Sequence, residues 1–145
     1  MGPRQSEREA YDELSFYTLA HSDSAFIHQH IVDAFIAQHA DAETKPISIA
    51  FALAGLYLHC ERNYTGREVQ KAHMRLTKAK ARLPAFDLPN DRGAITAIDV
   101  AKSQPGAERD AAIHDWAACV WKAWSAGHPR VAEWLKVELQ TGQRL

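Results

Sequence analysis

A chain of 145 residues with 17 basic and 18 acidic side chains carries almost no net charge, which excludes the one-sided basic footprint of a nucleic-acid binder. Its length sets a single domain, residues 1–145, able to bury about two-thirds of the surface its unfolded form exposes. Cys60 and Cys119 are its two cysteines; neither has a metal-binding spacing, and each sits among apolar neighbours where a reduced thiol behaves as a small hydrophobe.

Ser6 with Glu9 three residues on is a capping box that opens an amphipathic helix ending near His21, with Ala10, Tyr11, Leu14, Tyr17 and Thr18 inward. Ser22, Asp23 and Ser24 then cap a second helix, 26–39. On a helical wheel Ile31, Val32 and Phe35 define its apolar face. His28 and His39 fall at the centre of that face, whereas His30, Asp33 and Ala37 fall on the far side, so His30 is expected at the surface. His28 and His39 stand roughly 16 Å apart along the axis, too far to ligate one ion together.

Lys45-Pro46 starts the third helix, because proline at the first helical position loses only an N–H that would be unpaired there. Residues 46–62 are apolar nearly all round up to the pair Glu61-Arg62, which places this helix inside the bundle. Its apolar run of about twelve residues is too short for a bilayer. Thr65 with Glu68 is a second capping box, leading a helix with Val69, Ala72, Leu76 and Ala79 inward and Lys71, Arg75, Lys78 and Arg82 on a solvated face.

Pro84, Pro89 and the run Asn90 to Gly93 make 83–93 the longest irregular segment. Thr96 with Asp99 caps a short helix through about Lys102, and Pro105-Gly106 turns the chain. From Glu108 to Ser125 the positions Ile113, Trp116, Ala117, Val120 and Trp124 recur at helical spacing, with Trp121 at the edge of the stripe. A final helix follows His128-Pro129, with Val131, Trp134 and Leu135 on successive turns. No stretch alternates as a strand does. The fold class is therefore all-α, a single-domain bundle of about six helices around 46–62.

These residues resemble a family of small, mostly bacterial helical proteins known only as a domain of unknown function. The resemblance rests on His28-Gln29, Asp33-Ala34-Phe35 and Gln38-His39, then Gly55-Leu56 and Glu61-Arg62. It continues through Gly93 to Thr96, Asp99-Val100, Trp116-Ala117, Val120-Trp121, Ala123 to Ser125, His128 and Trp134, spanning about 11–135. Many relatives begin with a cysteine-rich segment that looks zinc-binding. This chain has no cysteine before Cys60, so no zinc-ribbon role is expected, and His30 lies outside the family pattern. The resemblance implies a fold and a bacterial source but no activity.

The expected role is a binding or interaction module for a small ligand or a protein partner, including a second copy of the chain in a homo-oligomer. Its ligand-binding candidates are Asp33, Arg62, Trp121 and Trp124: a carboxylate and a guanidinium able to pair, and tryptophans dense enough to form an aromatic pocket or an exposed patch centred on Trp121. The alternative is a metal-dependent enzyme holding a divalent ion between helices, with His28, His39, His59, Glu61 and His128 as candidate ligands. No H-E-x-x-H or Glu-x-x-His spacing supports it. The competing structural reading has the histidines bonding to carbonyls, Glu61 accepting from a tryptophan N–H or His28, and His128 meeting the carbonyl end of the tryptophan helix. No signal core opens the chain and no segment could span a membrane, so a cytoplasmic location without a membrane partner is expected.

Overall fold

Capping boxes start helices where the sequence places them. In the computed structural model, which describes residues 6–20, 25–79 and 82–139, Ser6 and Glu9 exchange backbone-to-side-chain bonds of 3.0 Å each at the head of α1 (Glu7–Ala20). Thr65 and Glu68 do the same at 2.9 and 3.1 Å ahead of α4 (Gly66–Ala79). The Thr96 N–H donates to Asp99 Oδ2 at 2.9 Å, opening α5 (Ala97–Ala101). The proposed cap at Ser22 to Ser24 lies outside the described residues.

Between these run α2 (His28–His39) and α3 (Pro46–Arg62), followed later by α6 (Ala107–Ala123), a 3-10 turn (Ser125–Gly127) and α7 (His128–Leu139). The described residues form an all-α bundle with no strand. Pro46 sits in the first turn of α3 after an extended Lys45, and Asn63 ends the helix in the left-handed region at φ 61°. There the Tyr64 N–H reaches back to the Leu58 carbonyl at 2.9 Å, a closure that satisfies one of the open carbonyls of the last turn.

As expected, α3 is central: Leu53, Ala54, Leu56 and Leu58 are essentially unexposed, and the helix packs against α2, α4, α6 and α7. A second helix shares that position. Helix α2 touches α1, α3, α4 and α6, and this overturns the wheel-based orientation of its side chains. His30 and Asp33 are 3% and 2% exposed, and Ala37 is fully buried, whereas His39 is exposed and His28, Val32 and Phe35 are only half-buried. The reason is physical: a bulky apolar stripe marks the buried side of a helix that has solvent opposite, and α2 has neighbours on several sides. Its small residues Ala34 and Ala37 are fully buried.

The irregular segment 83–93 and the residues just after it are tied to α2 through Gln38 and Arg92. Gln38 Nε2 donates to the carbonyls of Arg92 at 3.1 Å and Ile95 at 2.7 Å, while its Oε1 accepts from Trp116 Nε1 at 2.9 Å. Arg92 Nη1 returns to the Gln38 carbonyl at 3.0 Å, capping the end of α2. Gly93 permits this path, with φ 94° and with Cys119 Sγ 2.7 Å from where a Cβ would stand, a space and a conformation that no other residue accepts without strain.

Candidate functional site

The five candidate metal ligands of the alternative reading do not come together around one point among the described residues. His28 Nδ1 lies 2.8 Å from Thr18 Oγ1, His39 Nε2 pairs with Glu7 at 3.1 Å, and Glu61 accepts from Trp121 Nε1 at 2.8 Å. His128 stacks on Trp121 with ring centroids 3.7 Å apart and bonds through Nε2 to the Trp121 carbonyl at 2.7 Å, the role at the end of the tryptophan helix that its position suggested. His59 stands among two other histidines. Among the described residues no group of three or more His, Cys, Asp or Glu side chains is arranged to hold a metal ion.

The tryptophan candidates also turn inward. Trp121 is 4% exposed, which overturns the expected surface patch around it, and Trp124 is 2% exposed with its Nε1 on the Ala37 carbonyl at 3.1 Å. Both indoles cost little to bury because both N–H groups are bonded. The large apolar side chains that are exposed are elsewhere, with Phe16 and Leu19 on α1, Met74 on α4 and Val137 on α7 among them. Arg62 is exposed at the end of α3.

Asp33 occupies a different kind of place. Its carboxyl is buried between α2 and α3, where Oδ1 accepts from Gln29 Nε2 at 3.1 Å and Oδ2 has no hydrogen-bond partner. The expected ion pair with Arg62 or a lysine is not formed. Burial pushes the Asp33 pKa well above its ordinary value, and the Gln29 bond only partly opposes that shift; a carboxyl so placed is held neutral. Gly55 on α3 makes the room. A Cβ there would lie 1.9 Å from Asp33 Oδ2, so any larger residue collides with the carboxyl.

This carboxyl belongs to the wall of a cleft of about 260 Å³ between α2, α3 and α4, shared with Gln29, Val32, Ile36, Ser48, Phe51 and His73. His73 Nε2 sits 2.8 Å from the Phe51 carbonyl, which requires the proton on Nε2 and leaves Nδ1 as an acceptor. Burial lowers the His73 pKa more than that carbonyl raises it. The result is a small, mainly apolar recess with a neutral acid, an oriented amide and a neutral imidazole.

Part of the wall was legible in advance. Asp33 was a candidate and Gln29 fell within the quoted motifs, as did Gly55, which backs Asp33 without lining the cleft. His73 was missed, because nothing in its helical pattern distinguishes it from an ordinary half-buried residue. A family model described as a family of unknown function (DUF5946) matches residues 5–125. The chain belongs to this family. The DUF5946 match starts before and ends earlier than the resemblance drawn from the motifs, so α7 lies beyond it while both walls of the cleft lie within it. No curated protein and no solved structure matches the chain. None of the described helices is long and apolar enough to cross a membrane.

Proposed function

We propose that this DUF5946 member is a small-ligand-binding module whose ligand occupies the cleft between α2, α3 and α4. One observation carries the reading: a carboxyl buried without a cation, one oxygen unpaired, in the wall of an apolar recess. A buried polar atom without a partner costs about 1–3 kcal/mol, and native proteins keep few of them unless they serve a purpose.

The lining selects the ligand class. A volume near 260 Å³ and walls of Val32, Ile36 and Phe51 favour a small molecule with an aromatic or branched aliphatic body. Gln29, turned so that Nε2 faces Asp33, presents Oε1 as an acceptor, and His73 Nδ1 is a second one. An N–H or O–H on the ligand meets that need, as in an amide, a phenol or an alcohol, whereas a carboxylate finds no cation in the wall.

The test is a two-dimensional NMR titration with benzamide, phenol and 3-methylbutan-1-ol. Saturable shifts should gather on Gln29, Ser48, Ala52 and His73. They should vanish in Ser48→Trp, which plugs the mouth of the cleft, and survive in Asp33→Asn, which keeps a neutral donor and acceptor in the same shape. Shifts that ignore Ser48→Trp, or no shifts with any of the three compounds, would overturn the proposal.

A further inference from the structure

Three histidines that the cleft does not use converge at the other end of the α2–α3 pair. His30 from α2 lies flat against His59 from α3, with ring centroids 3.7 Å apart, and His114 from α6 stands 4.8 Å from His59 and 5.7 Å from His30. They share with Ala25, Ile27 and Asp110 the wall of a pocket of about 370 Å³. No residue of the Asp33 cleft belongs to it. His30 is 3% exposed and its Nδ1 has no hydrogen-bond partner, so this pocket, like the cleft, has an unsatisfied polar side chain in its wall.

One carbonyl assigns the ring protons. His59 Nδ1 is 3.3 Å from the Tyr64 carbonyl, which only accepts, so the proton is on Nδ1 and Nε2 carries a lone pair. That lone pair meets His114 Nδ1 at 3.0 Å; His114 therefore donates through Nδ1, and its neutral ring keeps a lone pair on Nε2. Burial, together with repulsion from His59 and His114, pushes the His30 pKa down to about 3, and burial lowers that of His59 as well. These two rings are neutral at pH 7 and bring polar atoms to the wall without charge.

The charge in the wall is negative. Asp110 is the one carboxylate there, and no lysine or arginine is among the described residues that line the pocket. Its Oδ1 accepts from the Tyr17 hydroxyl at 2.7 Å, which holds the carboxylate in place, and its Oδ2 takes no hydrogen bond from the described residues. Asp110 precedes His114 by four residues on α6, so the two side chains are neighbours on one face, with Cβ atoms roughly 5–6 Å apart. One planar cation with two N–H groups can reach Asp110 Oδ2 and His114 Nε2 together, and neither side chain has to leave its present partner.

We propose that this pocket binds a small organic cation bearing N–H groups, an amidinium or a guanidinium, with Asp110 as its counter-ion and His114 Nε2 as a second acceptor. A charge-assisted bond to a carboxylate is roughly twice as strong as a neutral one, and Ala25 and Ile27 supply apolar contact for the body of the ligand. The same wall rejects a carboxylate or a phosphate, which would face Asp110 with no cation in the lining to offset the repulsion. The two pockets therefore differ in what they select. The Asp33 cleft takes a neutral ligand, and the histidine pocket takes a cation.

The test is a two-dimensional NMR titration of the full chain with benzamidine hydrochloride, run beside benzamide, its uncharged counterpart of nearly the same shape. Benzamidinium should give saturable shifts gathered on Thr65, Asp110 and His114, and benzamide should leave those residues unmoved. Asp110→Asn, which keeps an acceptor for the Tyr17 hydroxyl, should weaken benzamidinium binding by about tenfold or more, the worth of one bond to a charged group. His114→Ala, at an exposed position, should weaken it as well. Asp115→Asn removes the same charge from the next residue of α6, exposed and outside the pocket, and should leave binding unchanged. Absence of saturable shifts at these residues, equal losses in Asp110→Asn and Asp115→Asn, or equal responses to benzamide and benzamidinium would each overturn the site.

Discussion

Replacing Asp33 by asparagine should stabilise the protein, and by an amount that grows with pH. The folded-state pKa of Asp33 is raised above its ordinary 3.8 by burial, so the folded chain holds a proton that the unfolded chain releases. The sign follows by linkage: Asp33 contributes full stability below pH 3.8, and stability is lost as pH rises from there toward the folded pKa. Asparagine does not titrate and fits the same space, with its carbonyl oxygen on Gln29 Nε2 and its NH2 where the acid O–H would be. Both side chains keep the Gln29 bond and leave the second polar atom without a partner, so the part of the difference that varies with pH comes from the proton. Each pH unit above 3.8 should therefore separate the two proteins by about 1.4 kcal/mol until the folded pKa is passed. Each such step is a shift in urea midpoint of about 0.5–1 M for a chain of this size. Urea unfolding of both proteins at pH 4, 5 and 6 measures it, since every other titrating group is common and cancels in the difference. Parallel stability curves would refute the reasoning, because they would mean that Asp33 ionises in the folded state as it does in the unfolded one.

Gly55→Ala should cost several kcal/mol, since its Cβ would lie 1.9 Å from Asp33 Oδ2, and the loss should be mostly recovered in the Gly55→Ala, Asp33→Ala double variant; additive losses in thermal melts would place the collision elsewhere. Arg109, 7% exposed, holds the carbonyls of Ala101 and Ser103 at 2.8 and 2.9 Å and lies 3.6 Å from Glu13, so Arg109→Met should destabilise by about 2–4 kcal/mol through carbonyls left unpaired at the end of α5. Trp116→Phe removes the donor to Gln38 Oε1 and should cost about 1–3 kcal/mol in chemical denaturation; a neutral result would mean that water replaces the indole N–H.

Helix positions and caps were legible because they rest on local physics. Ser6 with Glu9 and Thr65 with Glu68 close the reciprocal bonds that their spacing requires, and Pro46 starts α3 at the residue where a proline is least costly. Burial on α2 was not legible, because it depends on which helices surround it. His30 lies opposite the bulky stripe and is nevertheless enclosed by α3 and α6. Trp121 sits at the edge of its own stripe, and it is covered because Glu61 and His128 reach it from two other elements. The Asp33 carboxyl had a visible symptom, a charge in a helix of apolar residues, but its neutral state depends on Gly55, twenty-two positions away in sequence. The convergence of His30, His59 and His114 has no sequence periodicity at all, since each comes from a different helix.

The motif residues of DUF5946 that appear in this chain divide by what they do with their polar atoms. Gln38 makes three bonds to Trp116, Arg92 and Ile95; Trp121 and Trp124 each bond through the indole N–H to Glu61 and to the Ala37 carbonyl; Gly93 permits the turn that Gln38 holds. Each of these is explained by the fold, because a buried donor or acceptor finds its partner on a neighbouring helix or on the irregular stretch around Arg92 and Ile95. Asp33 and Gly55 follow the opposite pattern. The acid leaves an oxygen unpaired and keeps a proton that the unfolded chain would release, and the glycine weakens α3 by about 1 kcal/mol relative to alanine. A pair of residues that each lower stability, placed so that one exists to accommodate the other, is difficult to account for as packing. Stabilities change sign under substitution at such positions, and binding changes with them: Asp33→Leu, with Gly55 kept to leave room for a side chain of the same shape, should give a firmer α2–α3 contact and a cleft that no longer takes a hydrogen-bonding ligand.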